Sequence, residues 1–330
     1  MKVMTALFGP RGAIDRAAAL REAGASGVFT FEGPHDVFTP LTLAATVEGL
    51  DLMTNVAIAF PRNPIHLAHQ AIDHQILSGG RFTLGLGTQI RTQIEKRFGA
   101  DFDRPVARMS EFVAALRAIF SAWDTGERLD FRGEFYRHTL MTPTFTPRDN
   151  PYGAPPIYVG ALGPRLTRAT AQFADGLLVM PFGSKRFLHE ATLPAVREGL
   201  AAAGRDEGEL AIVPEIIVSA GSETDPTHEA TRRLLAFYGS TPAYRPVLEV
   251  HGWGDLQPEL NALSKQGRWQ EMGSLIDDEV LHTIAACGSP ADIAAHIQDR
   301  VGGVSDRICL YQPGPIALDS LAQIVDALRD

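Results

Sequence analysis

The chain has 330 residues, 45% of them hydrophobic, which is enough for one large core. Charged residues make up 21% and the formal net charge is −9, so no global positive field gathers nucleic acid or an anionic membrane, and a polyanionic ligand needs a local basic patch. Only two cysteines occur, Cys287 and Cys309, which excludes a disulfide framework and a multi-thiolate metal site and points to a reducing cytoplasm.

From the start of the chain, the run Met1 to Phe8 is apolar but is stopped by Gly9-Pro10. It is too short for a signal segment or a membrane span and reads as a first strand. Eight such runs are expected as strands: Lys2 to Phe8, Gly27 to Phe31, Asn55 to Phe60, Phe82 to Gly87, Pro156 to Ala161, Gly176 to Met180, Ala211 to Ala220 and Arg307 to Gln312. Most are continuously hydrophobic, the signature of parallel strands buried on both faces. Amphipathic stretches lie between them: Ile14 to Ala23, Leu41 to Leu50, Ile65 to Leu77, Val106 to Trp123 and Leu188 to Ala203. Gly24, Gly79 and Gly204 stand where helix C-termini call for a left-handed residue.

Eight evenly spaced units without a linker favour a single α/β domain over residues 1–330, a closed (β/α)8 TIM barrel, over an open doubly wound sheet. Two connections are long enough to be insertions, at about 125–154 and 225–290. The first carries Phe131-Arg132-Gly133-Glu134-Phe135-Tyr136 and reads as a small hairpin or extended segment. The second holds Tyr244, Arg245, His251 and Trp253, which either shape a substrate pocket or form a small core of their own.

In such a barrel the chemistry belongs to the loops after the carboxyl ends of the strands. After the second strand comes Glu32-Gly33-Pro34-His35-Asp36, either a Pro-Gly turn with surface charge or a source of acid-base groups. After the fourth comes Gly85-Leu86-Gly87-Thr88, which does not complete a dinucleotide fingerprint because position 90 is Ile. Gly160-Ala161-Leu162-Gly163-Pro164-Arg165 leaves a strand and opens a helix with Pro in its first turn. It is either an ordinary turn or a cradle whose free N–H groups, with Arg165 and Arg168, hold a phosphate. Arg62, Lys185 and Arg186 also follow strand ends and could extend a basic patch. His66, His69 and His74 share a helix without the spacing or carboxylate of a metal site, and no metal is expected.

Taken in order, Glu32-Gly33-Pro34-His35-Asp36-Val37-Phe38-Thr39-Pro40-Leu41, Val56-Ala57-Ile58-Ala59-Phe60-Pro61-Arg62-Asn63-Pro64, Leu84-Gly85-Leu86-Gly87-Thr88, and Pro155 to Pro164 followed by Ala174-Asp175-Gly176 resemble the luciferase-like monooxygenase superfamily. The resemblance is to its deazaflavin-dependent branch, which uses coenzyme F-420, and covers nearly the whole chain. It implies a deazaflavin, or alternatively FMN, in the barrel mouth, a non-prolyl cis peptide within Val56-Ala57-Ile58 behind the ring, and the phosphate on Gly160, Ala161, Leu162 and Gly163 with Arg165 beside it. Asp36 matches a position beside the ring, and Thr88, Gln93 and Met180 complete the expected cofactor set. Glu32, His35 and Asp36 are the candidates for acid-base work. Sugar-phosphate dehydrogenases of this branch carry a carboxylate where this chain has Ile90, which argues against a sugar phosphate as substrate.

The resemblance thus implies a hydride-transferring oxidoreductase with a small organic substrate, while the charge balance argues against a nucleic-acid or membrane partner. The alternatives are an FMN-dependent monooxygenase and a non-catalytic flavin-binding barrel. A homodimer is expected from the family.

Overall fold

The computed structural model describes residues 1–221 and 226–329. In chain order the strands are β1 (Lys2–Ala6), β2 (Gly27–Thr30), β3 (Asp51–Thr54), β4 (Ala57–Ile58), β5 (Phe82–Gly87), β6 (Phe131–Arg132), β7 (Arg137–His138), β8 (Ile157–Ala161), β9 (Gly176–Val179), β10 (Ala211–Ala220), β11 (Ala286–Gly288) and β12 (Arg307–Tyr311). Leaving out the β6–β7 hairpin and the short β11, and counting β3 with β4 as one, eight parallel strands run round a barrel. The order is β1, β2, β3/β4, β5, β8, β9, β10 and β12, and the pairing of β12 with β1 closes it.

The strands are buried on both sides because the barrel is filled and wrapped. Met4, Phe29, Met53, Leu178, Val213 and Cys309 pack together inside it, while residues such as Val3, Val28, Leu52 and Leu84 face the surrounding helices. Both cysteines are buried free thiols. Gly24, Gly79 and Gly204 take φ of 91°, 65° and 65°, as the helix ends require.

Strand three departs from the expected run of Asn55 to Phe60. It starts four residues earlier, at Asp51, whose carboxylate takes a 3.0 Å hydrogen bond from Arg307 at the base of the barrel and so belongs in the strand despite its charge. It is then interrupted. Met53 pairs with Thr83 and Ala57 with Leu86, so this strand holds one residue more than its neighbour over the same stretch, which is a bulge. The cis peptide lies within it, between Asn55 and Val56, one bond before the segment in which the resemblance placed it.

Where the ladder fails, Thr54 replaces it. Its buried hydroxyl donates to the carbonyl of Gly85 at 2.7 Å and accepts from the Gly85 N–H at 2.9 Å. Gly85 must be glycine, because a Cβ there would stand 1.8 Å from the Thr54 carbonyl oxygen.

The first insertion contains the expected hairpin, β6 and β7. Its turn is held by the Glu111 carboxylate, which accepts from the N–H groups of Glu134, Phe135 and Tyr136 at 2.9, 2.7 and 2.7 Å. Asp225, where the second insertion was expected to open, lies outside the described residues. The rest of that insertion is helical, with helices Pro226–Gly239, Arg245–Glu249, Leu256–Lys265, Trp269–Ser274 and Asp278–Ile284. Leu235, Leu248, Leu260, Met272 and Leu281 form its own core, continued by Phe182 and Ile217 from the barrel. It ends in β11, which lengthens the sheet beside β10 and was absent from the sequence reading.

Thr54→Val keeps the shape of the side chain and leaves two buried backbone groups of Gly85 without a partner. It is expected to lower stability by roughly 1–3 kcal/mol in chemical denaturation.

Candidate active site

The carboxyl ends of the strands open on a cavity of about 330 Å³. Its floor is the bulge, with Asn55, Val56 and Ile58, together with Phe31 from the end of β2 and Tyr311 from the end of β12. One side is the loop after β5, with Gln89, Ile90 and Gln93, and another is Met180-Pro181 after β9. The roof comes from the second insertion through Leu234, Phe237, Tyr238, Thr241 and Tyr244. A larger cavity of about 750 Å³ lies at the opposite end of the barrel, against Pro156, Ile157 and Asp175, where strands begin and barrel enzymes do not place chemistry.

At the bottom of the mouth stands Glu215, 7% exposed. Two residues earlier on β10, Val213 packs inside the barrel, so the strand's alternation turns Glu215 inward as well. No cation pairs with it among the described residues. Its one side-chain partner is the Asn55 amide, which donates at 3.0 Å. Burial pushes its pKa up, the Asn55 hydrogen bond pulls it part of the way back, and the result is about 8. The group is therefore mostly a neutral acid at pH 7.

Tyrosines surround this acid. Burial and then the nearby Glu215 push both Tyr244 and Tyr311 up to about 12, and burial also raises Tyr238 well above its ordinary value. They stay protonated and can donate. Phe31 meets the Tyr311 ring edge-on at 5.4 Å and Phe8 at 5.8 Å, which fixes one wall.

Of the residues singled out from the sequence, Glu32, Val56, Ile58, Gln93 and Met180 line this cavity. Glu32 is committed elsewhere, however. Its carboxylate accepts from Arg62 at 2.7 and 3.0 Å and from the Ile58 N–H at 3.1 Å, while Arg62 also donates to the Ile58 carbonyl at 2.7 Å. This partly buried pair ties the end of β2 to the far side of the bulge.

His35 and Asp36 fall on the other side of Phe31, around a separate space of about 50 Å³. His35 packs over Gly9, where a Cβ would come within 2.9 Å of the ring. Asp36 accepts from the Phe38 N–H, the Thr39 N–H and the Thr39 hydroxyl at 3.0, 2.7 and 2.8 Å, which anchors the helix that follows. Burial raises its pKa, but these bonds and Arg62 outweigh that and leave it below the usual carboxylate range.

Ala57 is fully buried, and Thr88 follows β5 without reaching the cavity lining. Gly160 is beside the bulge, since a Cβ there would lie 3.1 Å from a methyl of Val56. Ala161 is buried at the end of β8, Leu162 packs against the core of the insertion, and Gly163 starts the helix Pro164–Phe173 with no side-chain cap and open space around it. The first N–H groups of this helix and the exposed Arg165 remain available to an anion. The wider basic patch is mostly consumed: besides Arg62, Arg168 pairs with Glu198, Lys185 with Asp299 and Arg186 with Glu190.

Glu215 was missed in the sequence although a signal was present. It is the single charge in the apolar run Ala211 to Ala220, which was read only as a strand. The pKa of Glu215 also has a consequence for stability. Because the folded protein holds its proton up to about pH 8 and the unfolded chain releases it near the ordinary carboxyl value, folding is favoured below that ordinary value and loses this contribution as pH rises towards 8. The melting temperature should fall across that window, and Glu215→Gln should flatten the fall in thermal scans.

The model of the luciferase-like monooxygenase domain matches residues 2–307. An uncharacterized protein of Mycobacterium tuberculosis is 50% identical over 300 residues, covering 90% of this chain and 88% of that one. The F420-dependent glucose-6-phosphate dehydrogenase of Nocardia farcinica is 30% identical over 242 residues, or 68% of this chain and 69% of its own. Among solved structures, the coenzyme F420-dependent tetrahydromethanopterin reductase of Methanopyrus kandleri superposes with a TM-score of 0.83 at 18% identity, covering 99% of this chain and 98% of the other, so the barrel fold is shared. With a domain match over nearly its full length and this fold, the chain belongs to the luciferase-like monooxygenase family.

Proposed function

We propose that this protein is a deazaflavin-dependent oxidoreductase that uses coenzyme F-420 to move a hydride to or from a small organic substrate. The observation that carries the reading is the uncharged Glu215 acid on the floor of a mouth in which apolar and aromatic side chains outnumber polar ones. Interconversion of a carbonyl or similar acceptor with its reduced form needs one proton for each hydride, and a carboxyl with pKa near the working pH can give or take it. The cofactor named for the Nocardia relative and the Methanopyrus reductase supports the same choice.

The residues present fit such a group. Val56, Ile58 and Met180 offer apolar contact to a planar ring, and Gln93 a polar edge. Ala57 is buried in the bulge beside them, paired with Leu86 of β5. Gly160, Ala161, Leu162 and Gly163 lead to the uncapped helix start, where the free N–H groups and Arg165 would hold a phosphate. When bound, the deazaflavin supplies the hydride donor or acceptor carbon of its central ring.

The chain's own residues do the rest. Asn55 holds the Glu215 carboxyl by one oxygen and leaves the other for the substrate. Tyr238, Tyr244 and Tyr311 exclude water and keep the acid neutral until it is used. Glu32, through Arg62 and Ile58, is a positioning residue that holds the bulge at its height, and Asp36 with His35 shapes the loop beside it. Ile90 on the cavity wall suits an apolar or planar substrate.

The test is titration of the purified apo-protein with coenzyme F-420 and, separately, FMN, followed by protein fluorescence at low and moderate salt. Tight, salt-weakened binding of the deazaflavin with weak FMN binding is expected. Preference for FMN with oxygen uptake would overturn the reading in favour of a monooxygenase. With an accepted ketone, alcohol or enone found by screening, Glu215→Gln should leave cofactor affinity intact, lower kcat by roughly 100-fold or more, and remove the limb of the pH profile near 8.

A further inference from the structure

A second cavity, of about 520 Å³, lies away from the mouth between the segment that follows β9 and the helix Pro290–Val301, under the helix Asp278–Ile284. Its charges do not balance. Lys185 is paired with Asp299 at 2.6 Å and Arg186 with Glu190 at 3.0 Å, so these four cancel. Arg300 is left over. It is 3% exposed, its Nη1 donates to the Ile284 carbonyl at 2.9 Å, its Nε has no partner, and no carboxylate pairs with it among the described residues.

A buried guanidinium without a counter-ion is costly, and an unused donor on it adds to the cost. Burial pulls its pKa down only to about 10, so it remains a cation at neutral pH.

Four imidazoles, His189, His251, His282 and His296, line the same space. One of them is fixed in place: His251 stacks on Trp253 at 4.5 Å and 20°, and its Nε2 meets the Ser184 hydroxyl at 2.8 Å. Among the described residues no group of His, Cys, Asp and Glu is arranged to hold a metal ion. Burial first, and Arg300 next, pulls His296 down to about 4, so this ring is neutral and offers an N–H rather than a second fixed charge. The donors come from separate elements, His189, His282 and His296 each from a different helix, so they can reach several oxygens of a tetrahedral oxyanion.

We propose that this cavity is a phosphate site, distinct from the barrel mouth, in which a phosphoryl group pairs with Arg300 and accepts hydrogen bonds from the surrounding imidazoles. The phosphoryl group belongs either to the free ion or to a phosphomonoester, and in both cases Arg300 is the anchor.

Calorimetric titration of the purified full chain with inorganic phosphate, and separately with glycerol phosphate, tests it. Saturable binding at millimolar concentration or below is expected, with a matching rise in melting temperature. Equal affinities would identify the free ion, and tighter binding of the ester a phosphorylated metabolite. Arg300→Gln should weaken binding at least tenfold. Because that variant disturbs a buried position, Thr283→Glu is the companion: it brings a carboxylate to the wall of the same cavity, and should abolish phosphate binding while raising the melting temperature of the free protein. No saturable binding of either probe, or wild-type affinity in a folded Arg300→Gln or Thr283→Glu variant, would overturn the proposal.

Discussion

The mouth of this barrel depends on one extra residue in its third strand. A regular strand would carry Thr54, Asn55 and Val56 past β5 in step, and its side chains would alternate between the interior and the helices. With the added residue, Thr54 closes the gap through its hydroxyl, Asn55 sends its amide across the barrel to Glu215, and Val56 rises to the floor of the cavity. Glu32 and Arg62 then clasp the far side through Ile58. Each of these contacts is local, but together they set the height and slope of the surface on which a ring can lie.

Electrostatically the mouth holds Glu32, paired with Arg62, and Arg97 at its wall beside the buried acid on its floor. The molecule's surface cations are mostly spent on neighbouring carboxylates, and such exposed pairs add little to stability. Two buried ionisable groups break this habit in opposite ways. Glu215 meets burial by keeping its proton, whereas Arg300 cannot shed its own and stays charged. Both are held by one neutral partner, Asn55 in one case and the Ile284 carbonyl in the other, so neither is fully satisfied within the protein.

Much of the fold was legible because parallel strands buried on both faces are runs of apolar residues, and seven of the eight stood out on that ground. The third stood out only in its later half, since Asp51 enters its strand through an ion pair with Arg307, a partner 256 residues away that no local pattern reveals. β11 escaped for a different reason: three residues are too few to show a period. Of the residues that the strand ends offered, Glu32, Val56, Ile58, Gln93 and Met180 meet at one cavity. His35 and Asp36 were drawn in by their chemistry and proximity in the chain, but the Phe31 ring separates them from the cavity. Glu215 lay in a strand, and attention to loops passed over it. A lone acid in an apolar run is either unstable or neutral, and that physical reading would have marked it.

The roof of the mouth has a different construction from its floor. Leu234, Phe237 and Tyr238 hang from the helix Pro226–Gly239, and Leu234 and Tyr238 pack against the insertion's own core, which meets the barrel at Phe182 and Ile217. The two halves of the cavity therefore share packing only where the insertion core meets Phe182 and Ile217. Changes on the roof that spare its contacts with Phe182 and Ile217 can alter which molecules are admitted while the strand that holds the acid stays in place.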